Sequence, residues 1–368
     1  MDINTALQVL RDPFGLPFYA WMFQGLLVLT FALHILVVNL AVGGIAVAMY
    51  CHFKGGAYRQ RLANALAKAG TINLSVAIVL GVAPLLFVQV IYDPFWYASN
   101  SLSAWWAMAF LLAVAIAFLA LYVFYLKRQK NPDSWGGYAV LSLVAVVAAG
   151  IIISALSVQA LVPGEWLKWY TRYGELHTTG TGLYHFEVGR FLHFMAPAFI
   201  NTGIFMMLYA WYFRARADRD DAYLDWVGRA GVRLAKIAVM IEIVTGLWWL
   251  VALPRNLHFM RDPYMWAGAG LGMILLAVLY RAARNPDRFA LPLAAFSLVT
   301  VLVMSIAREV LRMSYLGLYN YSIYDCKVNL DWGSTALFLA TFGLGLVIIA
   351  YPLIVAFKLG RGTLKEAP

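Results

Sequence analysis

The chain has 368 residues, of which 63% are hydrophobic and only 12% are charged. Soluble domains carry about 25% charged residues, so this composition excludes an ordinary soluble fold and indicates a protein built for lipid. The net charge of +10 therefore favours contact with a membrane over binding of nucleic acid. Two cysteines, Cys51 and Cys326, and the lack of a CxxCH motif give no support to a disulfide framework or to covalently attached haem.

Long apolar segments dominate the sequence from the first residues onward. A helix needs about 20 apolar residues to cross the hydrocarbon of a bilayer. Nine segments meet this requirement, and we expect no removable signal peptide before them. The nine predicted spans cover approximately residues 18-50, 71-92, 104-126, 136-161, 188-213, 234-253, 264-280, 290-313 and 335-357. We therefore predict an all-α, polytopic membrane bundle of about nine transmembrane helices, forming a single domain over residues 1-368.

The distribution of Lys and Arg predicts the orientation of this bundle. The links after spans 1, 3, 5 and 7 and the C-terminal tail together hold eighteen basic residues, and the opposite links hold six. Cytoplasmic links are normally enriched in Lys and Arg. The bias predicts a periplasmic N-terminus, a cytoplasmic C-terminus and outer links that are rich in aromatic residues. Cys51 and Cys326 would then lie on opposite faces of the membrane and could not pair.

Few ionisable residues lie within the predicted spans. A charged side chain at mid-bilayer costs about 2.5–3.5 kcal/mol, so such residues are usually paired and functional. Apart from Lys236, which lies near the cytoplasmic end of span 6 and can extend to the interface, the set comprises His34, Arg190, His193, Glu242, Arg308, Glu309 and Arg312. The predicted orientation places most of them in the outer half of the bundle, with His34 nearer the middle. Histidines that project inward from facing helices are a common means of holding haem.

Structural roles remain open for the same residues. A single intramembrane histidine such as His34 often only bonds a neighbouring helix. Glu309 and Arg312 could form a buried ion pair, and Arg308 could bind lipid phosphate together with Arg312. The intramembrane asparagines are expected to bond between helices.

Three stretches resemble, in the same order, subunit I of the cytochrome bd quinol oxidase superfamily. They are FALHILVVNLAVGG in span 1, RFLHFMAPAFINTGIFMMLYAWYF in span 5, and Glu309 to Arg312 in span 8. The resemblance implies that His34 ligates a high-spin haem and that His193 ligates a low-spin haem b. Arg190 would balance a haem propionate or a neighbouring charge, and we include Arg308 among the candidate cofactor-binding residues. Glu309 and Arg312 would lie beside the high-spin haems as catalytic residues, with Glu309 also a metal ligand.

The sequence departs from that family in four ways. The link between spans 6 and 7, PRNLHFMRDP, is too short for the family's quinol-binding loop, and the chain is shorter than typical members. Span 3 lacks the acidic residues associated with proton delivery. Gly268 stands where the family has its methionine ligand, so the low-spin haem needs another one. His258 is our first candidate and Met265 the second; His185 and His177 lie on the adjacent outer link.

The resemblance implies an oxidoreductase subunit in the bacterial inner membrane. It would carry two or three haems, of b type with haem d as an alternative for one, and could bind quinone. We expect electron transfer between membrane quinone and a periplasmic partner such as a c-type cytochrome, together with a second membrane subunit. The alternative is a terminal oxidase that reduces oxygen to water. A transporter is a third reading, for which GVAPLLF and MAPAF suggest broken helices.

Overall fold

Helices make up nearly all of the protein in this computed structural model, which describes residues 3–131, 134–172 and 175–361. Lys365, which counted towards the predicted orientation, lies outside the described residues. The helices are α1 (Ile3–Val9), α2 (Ala20–Lys54), α3 (Ala57–Ile91), α4 (Asp93–Leu102), α5 (Ala104–Lys130), α6 (Gly136–Gln159), α7 (Trp166–Tyr170), α8 (Val188–Phe213), α9 (Asp221–Ala252), α10 (Pro263–Ala282), α11 (Pro286–Gly317) and α12 (Trp332–Gly360).

Eight of these helices are long and apolar enough to cross a membrane, namely α2, α3, α5, α6, α8, α9, α10 and α11. They correspond to the first eight predicted spans, and α12 covers the ninth. The polytopic helical bundle predicted from the sequence is thus confirmed, and the protein is a multi-pass membrane protein. Several helices run further than predicted. The link after span 1, for example, is helical apart from a break at Gly55 and Gly56, because a helix need not end where the hydrocarbon ends.

Short elements join the helices at one end of the bundle, which we call the aromatic end. It is formed by the links between α3 and α5, α6 and α8, α9 and α10, and α11 and α12. Between α6 and α8 lie α7 and a two-stranded antiparallel hairpin, β1 (Thr171–Arg172) and β2 (Glu175–Leu176), in which Thr171 faces Leu176. The opposite end, which holds most of the Lys and Arg residues, is the basic end.

Small residues allow the central helices to approach closely. A Cβ added to Gly43 of α2 would overlap the carbonyl oxygen of Ala198 and the hydroxyl of Thr202 in α8. A Cβ added to Gly203 of α8 would lie 2.5 Å from the carbonyl oxygen of Gly231 in α9. Such contacts are typical of membrane helix packing, where close van der Waals contact replaces the hydrophobic driving force. They bring α2, α8 and α9 together around one part of the bundle.

Pro84 and Pro197 lie inside helices without interrupting them. Pro84 belongs to α3 and Pro197 to α8, and both helices continue through these residues. These are the two places at which the sequence suggested broken helices, so the reading of the chain as a transporter loses its main support.

Candidate haem-binding site

A cavity of about 460 Å³ lies among α2, α8, α9, α10 and α11. Cofactor sites in proteins typically have volumes of roughly 300–1,000 Å³ and are mostly apolar with a few polar groups. This cavity fits that description, because its walls are mainly aliphatic and aromatic. The lining residues that could contact a cofactor are Phe31, His193, Glu242, Met265, Met304 and Arg308. We call this space the His193 cavity.

His193 lies on α8, five residues after the helix begins at the aromatic end. At 1.5 Å per residue this corresponds to a depth of about 7–8 Å. Its Nδ1 is 3.1 Å from Oε1 of Glu242 on α9, although the two groups are not aligned as a hydrogen bond. One turn along α9, a Cβ added to Gly246 would lie 3.1 Å from the same nitrogen. The glycine thus lets the imidazole lie directly against α9.

Two thioether side chains also line the His193 cavity. Met265 is buried in the first turn of α10, and Met304 comes from α11. A Cβ added to Gly268 would overlap Sδ of Met304, so the glycine makes room for this sulfur atom. Gly268 is the position at which the sequence lacks the expected methionine. Sequence reasoning missed Met304, because nothing in a sequence says which residue of one helix faces a glycine of another.

Three arginines gather near the aromatic end of α8 and α11. Arg190, Arg308 and Arg312 lie close enough for their charges to interact. The guanidinium of Arg308 lies 4.0 Å from the centre of the Phe31 ring, at the wall of the His193 cavity. Arg190 is buried, and its Nη1 has no hydrogen-bond partner among the described residues. The group therefore carries more positive than negative charge and suits an anionic ligand.

Carboxylates accompany these arginines at two points. Glu309 is buried, accepts a hydrogen bond from the hydroxyl of Tyr92, and lies 3.6 Å from Nη1 of Arg312. Glu187, just before α8, lies near Arg190. Burial opposes its ionisation, but a hydrogen bond from His185 and the charge of Arg190 hold the pKa of Glu187 below its usual value. Glu309 and Arg312 thus form the ion pair that the sequence left open as a structural role.

His34 contacts a different part of the bundle. Its Nδ1 is 3.0 Å from the carbonyl oxygen of Ala77 on α3. A Cβ added to Gly81 would lie 2.8 Å from Cε1 of His34, so the ring packs against α3. The His193 cavity is lined from α2 by Phe31, Ile35 and Asn39 instead. His34 therefore bonds a neighbouring helix, which is the structural role that the sequence left open for it. The structure does not bring His34 close to His193.

The other candidate histidines lie in links at the aromatic end. His258 is exposed, with φ of 50°, between two short 3₁₀ turns, and it does not line the His193 cavity. His185 lies near Glu187 and stacks on Trp169, and His177 is exposed. Met265 and Met304 thus line the His193 cavity, and His258 does not.

The residues around the His193 cavity fit a haem. The cavity is flanked by an imidazole, two thioethers and an excess of arginine charge that could pair with propionates. The buried Nη1 of Arg190 has no partner in the part of the chain that the structure describes, and buried polar groups in proteins are rarely left unpaired. No group of three or more His, Cys, Asp or Glu residues that could hold a bare metal ion occurs within the described ranges. A haem needs at most two protein ligands, so the chemistry of this donor set agrees with it.

Most of the chain superposes on a solved oxidase structure. It matches bd oxidase from Geobacillus thermodenitrificans with a TM-score of 0.66, over 94% of this chain and 98% of that one, at 11% sequence identity. The chain has a bd oxidase-like fold. No family model and no curated protein matches it by sequence. The resemblance inferred from the three stretches is thus confirmed at the level of the fold.

Proposed function

We propose that the protein is a haem-bearing membrane subunit of a respiratory oxidoreductase complex. The observation that carries the proposal is the His193 cavity, which presents a histidine, two methionines and arginine charge within a bd oxidase-like fold. A haem held there would supply reversible one-electron transfer. The protein would supply axial ligation, a fixed position and a surrounding of low polarity.

Each polar residue around the cavity has a role in this proposal. His193 would hold the iron, and Met265 or Met304 would provide a second ligand. Arg308, at the cavity wall, would pair with a propionate, and the buried Arg190 would either do the same or balance the local charge. Ligation and charge pairing would offset the cost of placing these groups in a membrane span.

The environment of the subunit follows from the same reasoning. We infer an orientation with the N-terminus outside and the C-terminus in the cytoplasm of a bacterial inner membrane, from the bias of basic residues. Electrons would pass between membrane quinone and a partner at the aromatic end, such as a periplasmic c-type cytochrome. A second membrane subunit and up to two further haems belong to the proposal through the fold likeness.

Reduction of oxygen to water is the second candidate function. It would need a high-spin haem beside Glu309, for which the buried Tyr92–Glu309–Arg312 group is the observation in favour. His34, the ligand that the sequence suggested for such a haem, packs against α3. Oxygen uptake by the purified complex with a quinol or with reduced cytochrome c would decide between electron transfer alone and oxidase activity.

Haem analysis of the purified protein tests the main proposal. We expect a pyridine haemochrome of b type, and we expect His193→Ala to remove one low-spin signal from the reduced-minus-oxidised spectrum. His177→Ala is the matched control, since this exposed histidine lies in a link and its loss should leave the spectrum unchanged. Protein without haem, or an unchanged spectrum in the His193 variant, would contradict the proposal.

A further inference from the structure

We infer that Glu242 is a positioning residue for His193, and that its carboxylate lowers the reduction potential of the haem bound there. This inference rests on the proposed function, because it assigns a role to a second side chain at the same site. The two residues come from different helices, α8 and α9, and face each other at the wall of the His193 cavity.

A carboxylate within a membrane span, such as that of Glu242, has an unfavourable free energy of insertion unless it has a partner. It lies in the second half of α9, within a membrane span, and its side chain is 18% exposed. The only ion-pair contact of its carboxylate within the described part of the chain is with Nδ1 of His193, at 3.1 Å. The nearest lysine along α9, Lys236, contacts the ring of Tyr280 instead. His193 is therefore the residue on which the Glu242 carboxylate can act directly.

The local packing directs the imidazole towards this carboxylate. Gly246 lies one turn after Glu242, and the missing side chain leaves space for the ring against α9. Trp249, also on α9, packs against the ring, with a distance of 5.2 Å between ring centres. With Nδ1 directed at α9, the other ring nitrogen, Nε2, is the one left for iron.

A carboxylate in this position has a defined chemical effect. Metal-binding histidines usually donate the second ring N–H to a carboxylate or a carbonyl, which fixes the tautomer and makes the ligand more basic. A more basic imidazole stabilises ferric iron more than ferrous iron, so the reduction potential falls. The hydrogen bond requires a small rotation of one side chain, because the two atoms are already at bonding distance but not aligned.

The main-chain carbonyl of Glu242 is the competing acceptor, since it also faces His193. A carbonyl would fix the same tautomer without adding a negative charge. Substitution of the side chain separates the two possibilities, because it leaves the main-chain carbonyl in place.

The test compares the reduction potential of the haem in the wild type, Glu242→Gln and Glu242→Leu. The purified complex is titrated while the low-spin haem signal is followed. We expect the potential to rise in both variants and more in the leucine variant. We expect at least a tenfold shift between the ferric and ferrous forms, which corresponds to about 59 mV for one electron.

Asp225→Asn is the matched control, because it removes one negative charge from the same helix at the basic end. We expect it to leave the potential unchanged. An unchanged potential in both haem-loaded Glu242 variants would overturn the inference and favour the main-chain carbonyl. An equal rise in the Asp225 variant would also overturn it. Absence of haem from the wild type would instead contradict the proposed function, so the two failures can be told apart.

Discussion

The hydroxyl of Tyr92, at the end of α3, donates a hydrogen bond to the buried carboxylate of Glu309 in α11. The two residues are 217 positions apart in the sequence, and Arg312 lies over the ring of Tyr92 at 4.8 Å. This contact joins the end of α3 to α11 beside Arg312. Any ligand bound near Glu309 therefore depends on a residue that lies outside the predicted haem motifs.

Tyr92→Phe removes this bond while keeping the ring. Hydrogen bonds to charged groups contribute about 1.5–3 kcal/mol, and we expect a loss of stability in that range. Thermal unfolding of the protein in detergent measures it. Tyr97→Phe is the control, because Tyr97 is exposed on the neighbouring helix α4. Equal melting temperatures for the two variants would show that the bond does not stabilise the fold.

The second haem ligand can be found by single substitutions. We expect either Met304→Leu or Met265→Leu to convert the low-spin haem to a high-spin form, because leucine keeps the volume but offers no donor atom. His258→Ala should leave the spectrum unchanged, since this histidine is exposed and outside the cavity. Visible and magnetic circular dichroism spectra record the spin state. A change in the His258 variant alone would reverse the assignment.

Gly268→Ala tests the same site by filling the space beside Met304 and replaces none of the candidate ligands. The added methyl group would overlap Sδ of Met304, so we expect a displaced thioether and an altered haem spectrum. Gly270→Ala is a close control, because a Cβ at that position meets nothing within 4 Å. Identical spectra for both alanine variants would argue against a role for Met304.

Adjacent glycines in α2 provide a test of helix packing. Gly43→Ala places a methyl group against α8, and overpacking of this kind costs about 1–3 kcal/mol. Gly44→Ala meets nothing within 4 Å, and alanine favours a helix over glycine by about 1 kcal/mol. We therefore expect opposite changes in thermal stability from two neighbouring substitutions. Changes of the same sign would indicate that α2 and α8 are not in this contact.

Asp93, at the start of α4 and outside the spans, provides a pH-dependent effect. Burial, and then the nearby Asp12, raise the pKa of Asp93 from 3.8 to about 6. Between these values the folded protein keeps a proton that the unfolded chain loses, so stability falls as the pH rises from about 4 to 6. Asp93→Asn removes this loss.

Thermal unfolding across that range measures the effect. The gain of Asp93→Asn over the wild type should grow between about pH 4 and 6 and remain constant above pH 6. A gain that does not vary with pH would mean that the pKa of Asp93 is not raised in the folded protein.

The sequence predicted the spans well because a bilayer imposes a length and a composition on every helix that crosses it. The family resemblance suggested His193 as a haem ligand, with His258 and then Met265 as candidates for the second; of these three, His193 and Met265 line the cavity. The sequence did not predict that His34 packs on Gly81, or that Met304 packs on Gly268. Both contacts join residues of different helices. The helical period predicts which face of its own helix a residue lies on, but it does not predict which other helix packs against that face.

Glu242 is another residue whose partner on a different helix could not be predicted from the sequence. A lone acid in an apolar span signals a partner, but the partner, His193, lies on the preceding helix at a distance that no spacing rule provides. The close approach of α8 and α9 through Gly203 and Gly231 fixes that pairing, and it could be recognised only after the helices were placed.

Pro197 affects the histidine it follows. A proline has no amide hydrogen, so it cannot bond the carbonyl oxygen four residues earlier, which in α8 belongs to His193. The backbone at His193 is thereby released from one helical constraint and can tilt without breaking a bond. The helix thus lacks one backbone hydrogen bond at the residue that we propose as the iron ligand.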